Sequence, residues 1–317
     1  MKRLLPKHPS TSLRNQNGFA LLLSLLIVVL LVIIIFEADY QIRADLRAAG
    51  NFRDDLKAEY LARSGISAGE ALLKDDAKNS AAYDGVDEFW AAPIPEYPLG
   101  DGLLSGFIVD EERKININKL VNKTTGKVIQ KRQDQLMRLF ELLEVNPDLT
   151  DAIVDWIDPD DVPMPYGAES PSYQAGNPGY AARNGAMQTL EELYMVRGIT
   201  NAIYAEISPY LTVYGEGAIN INTADSLVLQ SFDLDLDESV ARRIIEKRPF
   251  DEPTTWRSEF RNLLSTDVIN RIGDWQRKDS QFFTLKATGQ VNDTFKTVSA
   301  VVRRVGQQTT LYYFRMQ

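Results

Sequence analysis

The chain has no cysteine, and a single histidine, His8, in 317 residues. Disulfides, thiolate nucleophiles and sulfur-ligated zinc are therefore excluded. His8 lies in a leader ahead of a long apolar run, so removal of that leader also excludes a Ser-His-Asp triad and His-ligated zinc. Proline is missing from Phe19 to Leu73, so nothing there interrupts a helix. Basic charge is also short. Four of the 35 basic residues (Lys2, Arg3, Lys7, Arg14) precede Phe19, which leaves 31 against 44 acidic residues, a balance of −13. Such a surface repels a phosphate backbone, and no nucleic acid is expected as a partner. Divalent cations suit it better. Carboxylate-pair hydrolysis stays open in principle, although most acidic side chains are ordinary solvated surface. With 44% apolar and 25% charged residues, the chain has the composition of one large or two ordinary globular domains.

Phe19–Phe36 is apolar except for Ser24. As a helix, its 18 residues reach about 27 Å, close to the roughly 30 Å of a bilayer's hydrocarbon core. Basic residues precede it and Glu37 follows it, which places residues 1–18 in the cytoplasm and the rest outside. No small-residue cleavage site closes the run, as a secretory signal requires. Instead the leader ends in Gly18 immediately before Phe19. This resembles the type IV prepilin signal, cut after Gly18 by a prepilin peptidase, with the helix kept on the mature chain. A plain single-pass anchor is the alternative. Ile42, Leu46, Ala49, Phe52, Leu56 and Tyr60 recur at steps of three and four, one face of a helix continuing beyond the membrane. Most pilins and pseudopilins carry a glutamate as the fifth mature residue, which in those families pairs with the terminal amine of the subunit above. Here that position is Leu23. A carboxylate in lipid is useful only where a partner exists, so Leu23 points to a subunit with nothing above it, at the filament tip; the alternative is a protein outside the pilin class altogether.

"WAAPIPEYPLGDG" is rich in turn formers, and "LLSGFIVDEERKININ" predicts two short strands with "DEER" as their turn. "FFTLKATGQVNDTFKTVSAVVRRV" reads as a hairpin in which Phe283, Leu285, Ala287 and then Phe295, Thr297, Ser299 and Val301 alternate. These regions flank a helical middle. The expected fold is α+β: a long N-terminal pilin-like helix packed on a small antiparallel sheet, with a large all-α insertion. The expected parts are a leader (1–18), a spine helix (19–75, with 19–36 transmembrane), a sheet region (76–119 and 279–317) and an inserted helical domain (120–278). "ININ" occurs at 115–118 and again at 219–222, each time before helical sequence, a hint of internal duplication. "TLEELYMVRGITNAIYAEISPYLTV" resembles a helix-hairpin-helix of the SAM-like kind. In acidic surroundings it reads as a packing unit.

"DWIDPDDVPMPYGAESPSYQAGNPGYAARNG" is a long acidic loop, a length that is usually functional. Asp155, Asp158, Asp160 and Asp161 crowd its start, and Glu169 follows. A hard cation with six to eight oxygen ligands would relieve their repulsion, with backbone carbonyls and Asn184 completing the shell. The other reading is helix capping and Asx turns.

Together, Gly18-Phe19 with Leu23, "YLARSGISAGEALL", "KININ", "DWIDPDD…GAESPSY", "LEELYMVRGIT…ISPYLTV" and "GAININTAD" are similar to the K-type minor pseudopilins of type II secretion (general secretion pathway protein K). The resemblance runs along nearly the whole chain. It implies a non-enzymatic subunit at the pseudopilus tip, anchored in the inner membrane with its bulk in the periplasm. Implied partners are the I- and J-type minor pseudopilins, the major pseudopilin, the prepilin peptidase and secreted substrate. It also implies calcium bound by the insertion, with Asp155, Asp158, Asp160, Asp161 and Glu169 as candidate ligands. The rival readings are a minor pilin of a type IV pilus and a membrane-anchored periplasmic carboxylate hydrolase.

Overall fold

Residues 17–79, 82–176, 178–251, 253–273 and 276–316 are described by the computed structural model. Residues 1–16 of the basic leader, His8 included, lie outside them. The chain divides into two units, 1–56 and 57–317.

Helix α1 spans Asn17–Asn79. Leu, Ala and charged residues favour it, and acid-before-base pairs one turn apart (Asp39–Arg43, Glu59–Arg63, Glu70–Lys74) reinforce it. In the first unit, every side chain from Phe19 to Phe36 is exposed.

In the second unit, β1 (Ile94–Leu99) and β2 (Gly102–Asp110) form a tight hairpin, with Gly100 at φ +61 supplying the left-handed turn residue. Next come β3 (Ile115–Asn116), α2 (Gln130–Leu142), α3 (Leu149–Ile157), α4 (Ser170–Gln174), α5 (Asn201–Ile207) and β4 (Leu211–Thr212). Then follow β5 (Ile219–Asn220), α6 (Ser226–Gln230), α7 (Glu238–Glu246), α8 (Pro253–Leu263), α9 (Thr266–Ile272) and β6 (Gln276–Arg277). The chain closes with β7 (Phe282–Val291), β8 (Thr294–Val305) and β9 (Gln308–Met316). The sheet order is β1-β2-β7-β8-β9, antiparallel throughout.

The C-terminal part of α1 packs on this sheet through small residues. Ala58 and Ala62 are buried, a Cβ on Gly65 would lie 2.7 Å from the Ala287 Cβ, and one on Gly69 would lie 2.7 Å from Leu285 Cδ2. Gly289 meets the Ala58 carbonyl so closely that a Cβ there would overlap it. Ile66 and Leu73 then bury against Leu104, Ile108, Phe283, Leu285, Val298, Ala300 and Val302. The stripe ending at Tyr60 is thus not the sheet-facing side: Tyr60 is 70% exposed.

Three local expectations are corrected. "DEER" is not a turn between two strands of one sheet. Glu111–Arg113 is a 3-10 turn, and Ile115–Asn116 leaves the sheet to pair in parallel with Leu211–Thr212. Residues 111–119 accordingly belong to the insertion, whose separate core includes Ile115 and Ile117. "IPEYPL" forms a strand despite Pro95 and Pro98, because β1 is an edge, where a missing N–H costs nothing. On β8 the helix-facing residues are Val298, Ala300 and Val302 rather than the Phe295–Val301 series. Val301 is buried on the opposite face, which blurs the alternation.

Candidate functional site

Helix α3 places Asp151 and Asp155 one turn apart on one face, and Asp158 is its C-cap residue. Carboxylates at a helix C-terminus oppose the macrodipole, and no basic residue stands in the last turn to offset them. The chain then loops outward and returns, bringing Glu169, the N-cap residue of α4, beside them. Asp155, Asp158 and Glu169 are all buried, and each offers an oxygen within 4.8 Å of the others.

Backbone donors do not neutralise this cluster. Met164 N donates to both Asp155 carboxylate oxygens, at 3.2 and 3.1 Å. Asp158 Oδ1 and both Glu169 oxygens are buried with no hydrogen-bond partner among the described residues. Burial, and then the neighbouring carboxylates, push Glu169 up to about 7 and Asp158 up to about 6. Burial pushes Asp155 up to about 6 as well, against the Met164 N–H bonds. Orphaned buried carboxylate oxygens carry a large desolvation penalty that a cation would remove. The donor set, hard oxygens without His or Cys, fits calcium.

Asp160 and Asp161 sit apart from this group and are exposed. Asp160 Oδ1 accepts from Val162 N at 2.9 Å, an Asx turn, and Asp161 Oδ1 accepts from Asn184 Nδ2 at 3.1 Å. Asn184, at φ +47, also donates to the Asp160 carbonyl, so it braces the loop's outer side. Asp151, which sequence reasoning passed over, accepts from Tyr166 N and from Gln133 Nε2, pinning the loop to α2. Its place one turn before Asp155 was the available signal.

Gly167 makes the close approach possible, since a Cβ there would overlap the Asp155 carboxylate. Gly167→Ala is expected to destabilise the protein by about 1–3 kcal/mol through overpacking, read by urea denaturation. Gly185→Ala is the control: its Cβ meets nothing nearer than 3.8 Å, and it is expected to be neutral.

A second acidic group, Asp76, Asp84 and Glu88, is satisfied by the protein itself. Arg304 pairs with Asp76 at 2.7 Å and with Asp84, while Gly85 N and Trp90 Nε1 donate to Glu88.

The "DEER" acids anchor the insertion to the sheet. Asp110 Oδ2 accepts from Asn220 Nδ2, Thr223 Oγ1 and Ser280 Oγ. Burial pushes Asp110 up to about 6 against the Thr223 and Ser280 hydroxyls. Burial acts on Glu111 too, but Lys114, with the Thr212 and Thr284 hydroxyls, outweighs it and holds that carboxyl below the usual range. Glu112 pairs with Arg277 at 2.7 Å.

The two "ININ" copies do the same structural work. Asn118 Nδ2 donates to the Met187 and Val213 carbonyls, and its Oδ1 accepts from Met187 N at 2.8 Å. Asn222 Nδ2 donates to the Phe250 and Lys278 carbonyls, and its Oδ1 accepts from Phe250 N at 2.8 Å. In each copy the preceding asparagine accepts from the backbone N–H two residues on. Each copy also opens a two-stranded parallel pairing, β3 with β4 and β5 with β6. The insertion is therefore two successive helical modules stapled by the same device.

An apolar helix long enough to cross a membrane, an antiparallel sheet built on the same helix, and a stapled pair of helical modules between two neighbouring strands define a pilin-type anchored subunit with a helical insertion. Two family models, both described as type II secretion system (T2SS), protein K, match residues 113–216 and 219–270, one to each stapled module. Both modules of the chain thus match this family. A type II secretion system protein K from Aeromonas hydrophila is 29% identical over 96% of this chain and 97% of its own length. One from Klebsiella pneumoniae is 27% identical over 74% of this chain and 75% of its own. Among solved structures, the GspK-GspI-GspJ complex from the enterotoxigenic Escherichia coli type 2 secretion system matches with a TM-score of 0.70. That match is 20% identical and covers 86% of this chain and 99% of the solved one, a likeness of fold.

Proposed function

We propose that this protein is a minor pseudopilin at the tip of the type II secretion pseudopilus, initiating or capping assembly during protein export across the outer membrane. The carrying observation is the first half of α1: apolar and wholly exposed from Phe19 to Phe36, with Leu23 where an acid would need a partner overhead. Such a helix requires lipid or other helices around it. The solved relative's complex with GspI and GspJ supports I- and J-type minor pseudopilins as companions, with the major pseudopilin below. Charge asymmetry across the helix supports an inner-membrane anchor with the head in the periplasm, and the match of both modules to secretion families favours secretion over a type IV pilus.

Asp155, Asp158 and Glu169 would hold a calcium ion, which supplies positive charge and oxygen coordination. Their burial favours this role over hydrolysis, since a scissile bond has to reach the carboxylates. The role is structural: it joins the C-terminus of α3 to the start of α4.

Two experiments test the reading. Co-expression of the full chain with I- and J-type pseudopilins and extraction in detergent is expected to yield a stable complex; its absence would count against the tip assignment. Gly18→Leu is expected to block removal of the leader entirely, seen as a retained mass difference by intact-protein mass spectrometry. Normal maturation of that variant would exclude prepilin processing.

A further inference from the structure

A groove of ≈ 850 Å³ runs beside the first module, lined by the Asn122–Gly126 turn, the Tyr214–Glu216 turn and residues of β7, β8 and β9. The Asn122–Gly126 turn belongs to a stretch for which the assembly reading has no use. One wall of the groove is aromatic. Tyr214 stacks on Phe282 at 6.2 Å, Phe282 meets Tyr312 edge-on at 5.2 Å, and the Arg303 guanidinium lies 5.7 Å over Phe282. Tyr312 stands at the β8–β9 register shift and is 52% exposed.

The groove's charge is opposite to that of the chain. Lys119, Lys123 and Arg303 line it, against one carboxylate, Glu216. Lys123 is exposed and makes no ion pair with another described residue. Glu216 is the chain's own carboxylate, presented on a turn whose flanking residues, Gly215 and Gly217, take φ +87 and +90. Its side chain is 73% exposed and bonds Lys119 Nζ at 2.9 Å. The Lys119 hydrogen bond and charge, helped by Arg303 and Arg277, hold it below the usual carboxylate range. The groove thus already grips a carboxylate, on a turn whose backbone Asn116 holds by donating from Nδ2 to the Tyr214 and Gly215 carbonyls at 2.7 and 2.8 Å, so that release of Lys119 is a movement of the exposed Glu216 side chain.

We infer that this groove binds an extended acidic segment of a partner protein, whose carboxylates meet Lys119, Lys123 and Arg303 while an aromatic side chain lies against the exposed Tyr312. Glu216 occupies one of these cations, Lys119, when no guest is present. Charge complementarity selects this occupant: in a chain with a net charge of −9, a local surplus of cations beside aromatic rings attracts discrete carboxylates and brings no gain to an apolar or basic segment. The inference stands apart from the assembly reading, because the groove borders the insertion and the sheet rather than the membrane helix.

The test is fluorescence anisotropy on the full chain in detergent micelles, with a labelled octapeptide of alternating glutamate and tyrosine and its lysine–tyrosine counterpart. Saturable binding of the acidic peptide alone is expected. Glu216→Gln is expected to tighten it about threefold or more by removing the internal competitor, and Lys123→Glu to weaken it about tenfold. Glu238→Gln makes the same change in net charge at an exposed helical site paired with Arg242, and is expected to leave binding unchanged. Absence of saturable binding, equal binding of the lysine peptide, or an equal gain from Glu238→Gln would each overturn the inference.

Discussion

Replacing Arg304 with alanine is expected to cost about 3–5 kcal/mol, the loss typical of stripping one partner from a buried ion pair. In Tm this amounts to roughly 10 °C for a domain of this size. Arg304, on β8, is 8% exposed. It pairs with Asp76 of α1 and with Asp84 of the following loop, donates to the Leu73 and Ser280 carbonyls, and lies 4.8 Å over the Phe283 ring. Burial already pushes the Asp84 carboxyl up, with Arg304 opposing that push. Without the guanidinium, Asp84 is left buried with only the Ser280 N–H as a donor. Arg304→Lys keeps the charge but not the fork that reaches two carboxylates and two carbonyls, so it should recover only part of the loss. Thermal unfolding followed by near-ultraviolet circular dichroism reads the effect. A change below about 1 kcal/mol would mean that the helix, loop and sheet are not joined through this residue.

Calcium is expected to raise the melting temperature, and EDTA to lower it. A ligand held at a hundred times its Kd adds about 2.7 kcal/mol, and a domain of this size then shifts by roughly 5–10 °C. Asp158→Asn and Glu169→Gln should each remove most of the calcium response, whereas Asp160→Asn, on the exposed Asx turn, should retain it. The sign with pH follows from the raised carboxyls. Asp155 and Asp158 near 6 and Glu169 near 7 bind protons in the calcium-free fold that the unfolded chain does not bind until about pH 4. Calcium-free stability from these groups therefore increases as pH falls from about 7 towards 4. Protons and calcium compete for the same oxygens, so the calcium increment should be greatest above pH 7 and fade towards pH 5. Identical melting with and without EDTA at pH 7.5 would remove calcium from the account.

The spine was legible because 18 apolar residues without a proline leave few options, and α1 covers the region expected of it. Its packing side was not. The stripe from Ile42 to Tyr60 is the most apolar, yet the sheet lies against Ala58, Ala62, Gly65 and Gly69. Periodicity finds large apolar side chains, whereas close helix-to-sheet approach selects small ones. In the acidic loop, density of charge pointed to the stretch where Asp155, Asp158 and Glu169 converge, but spacing around Pro159 does not say which carboxylates turn inward. That choice depends on Asn184 and Val162, which hold Asp161 and Asp160 outside. The anchoring role of Asp110, Glu111 and Glu112 was hidden because consecutive acids ordinarily signal solvent. Here their partners, Asn220, Thr212 and Arg277, come from about 100 or more residues further along the chain.

Asp110 closes β2 opposite Phe283 of β7, and these two strands are immediate neighbours in the sheet. In topological terms everything from 111 to 281, both stapled modules included, is the loop of a β-hairpin. A hairpin's strand register is indifferent to what its loop carries, provided the two ends return to the same place. The cargo between these strands is free to change size or shape over evolutionary time while the ladder that seats the membrane rod stays in step.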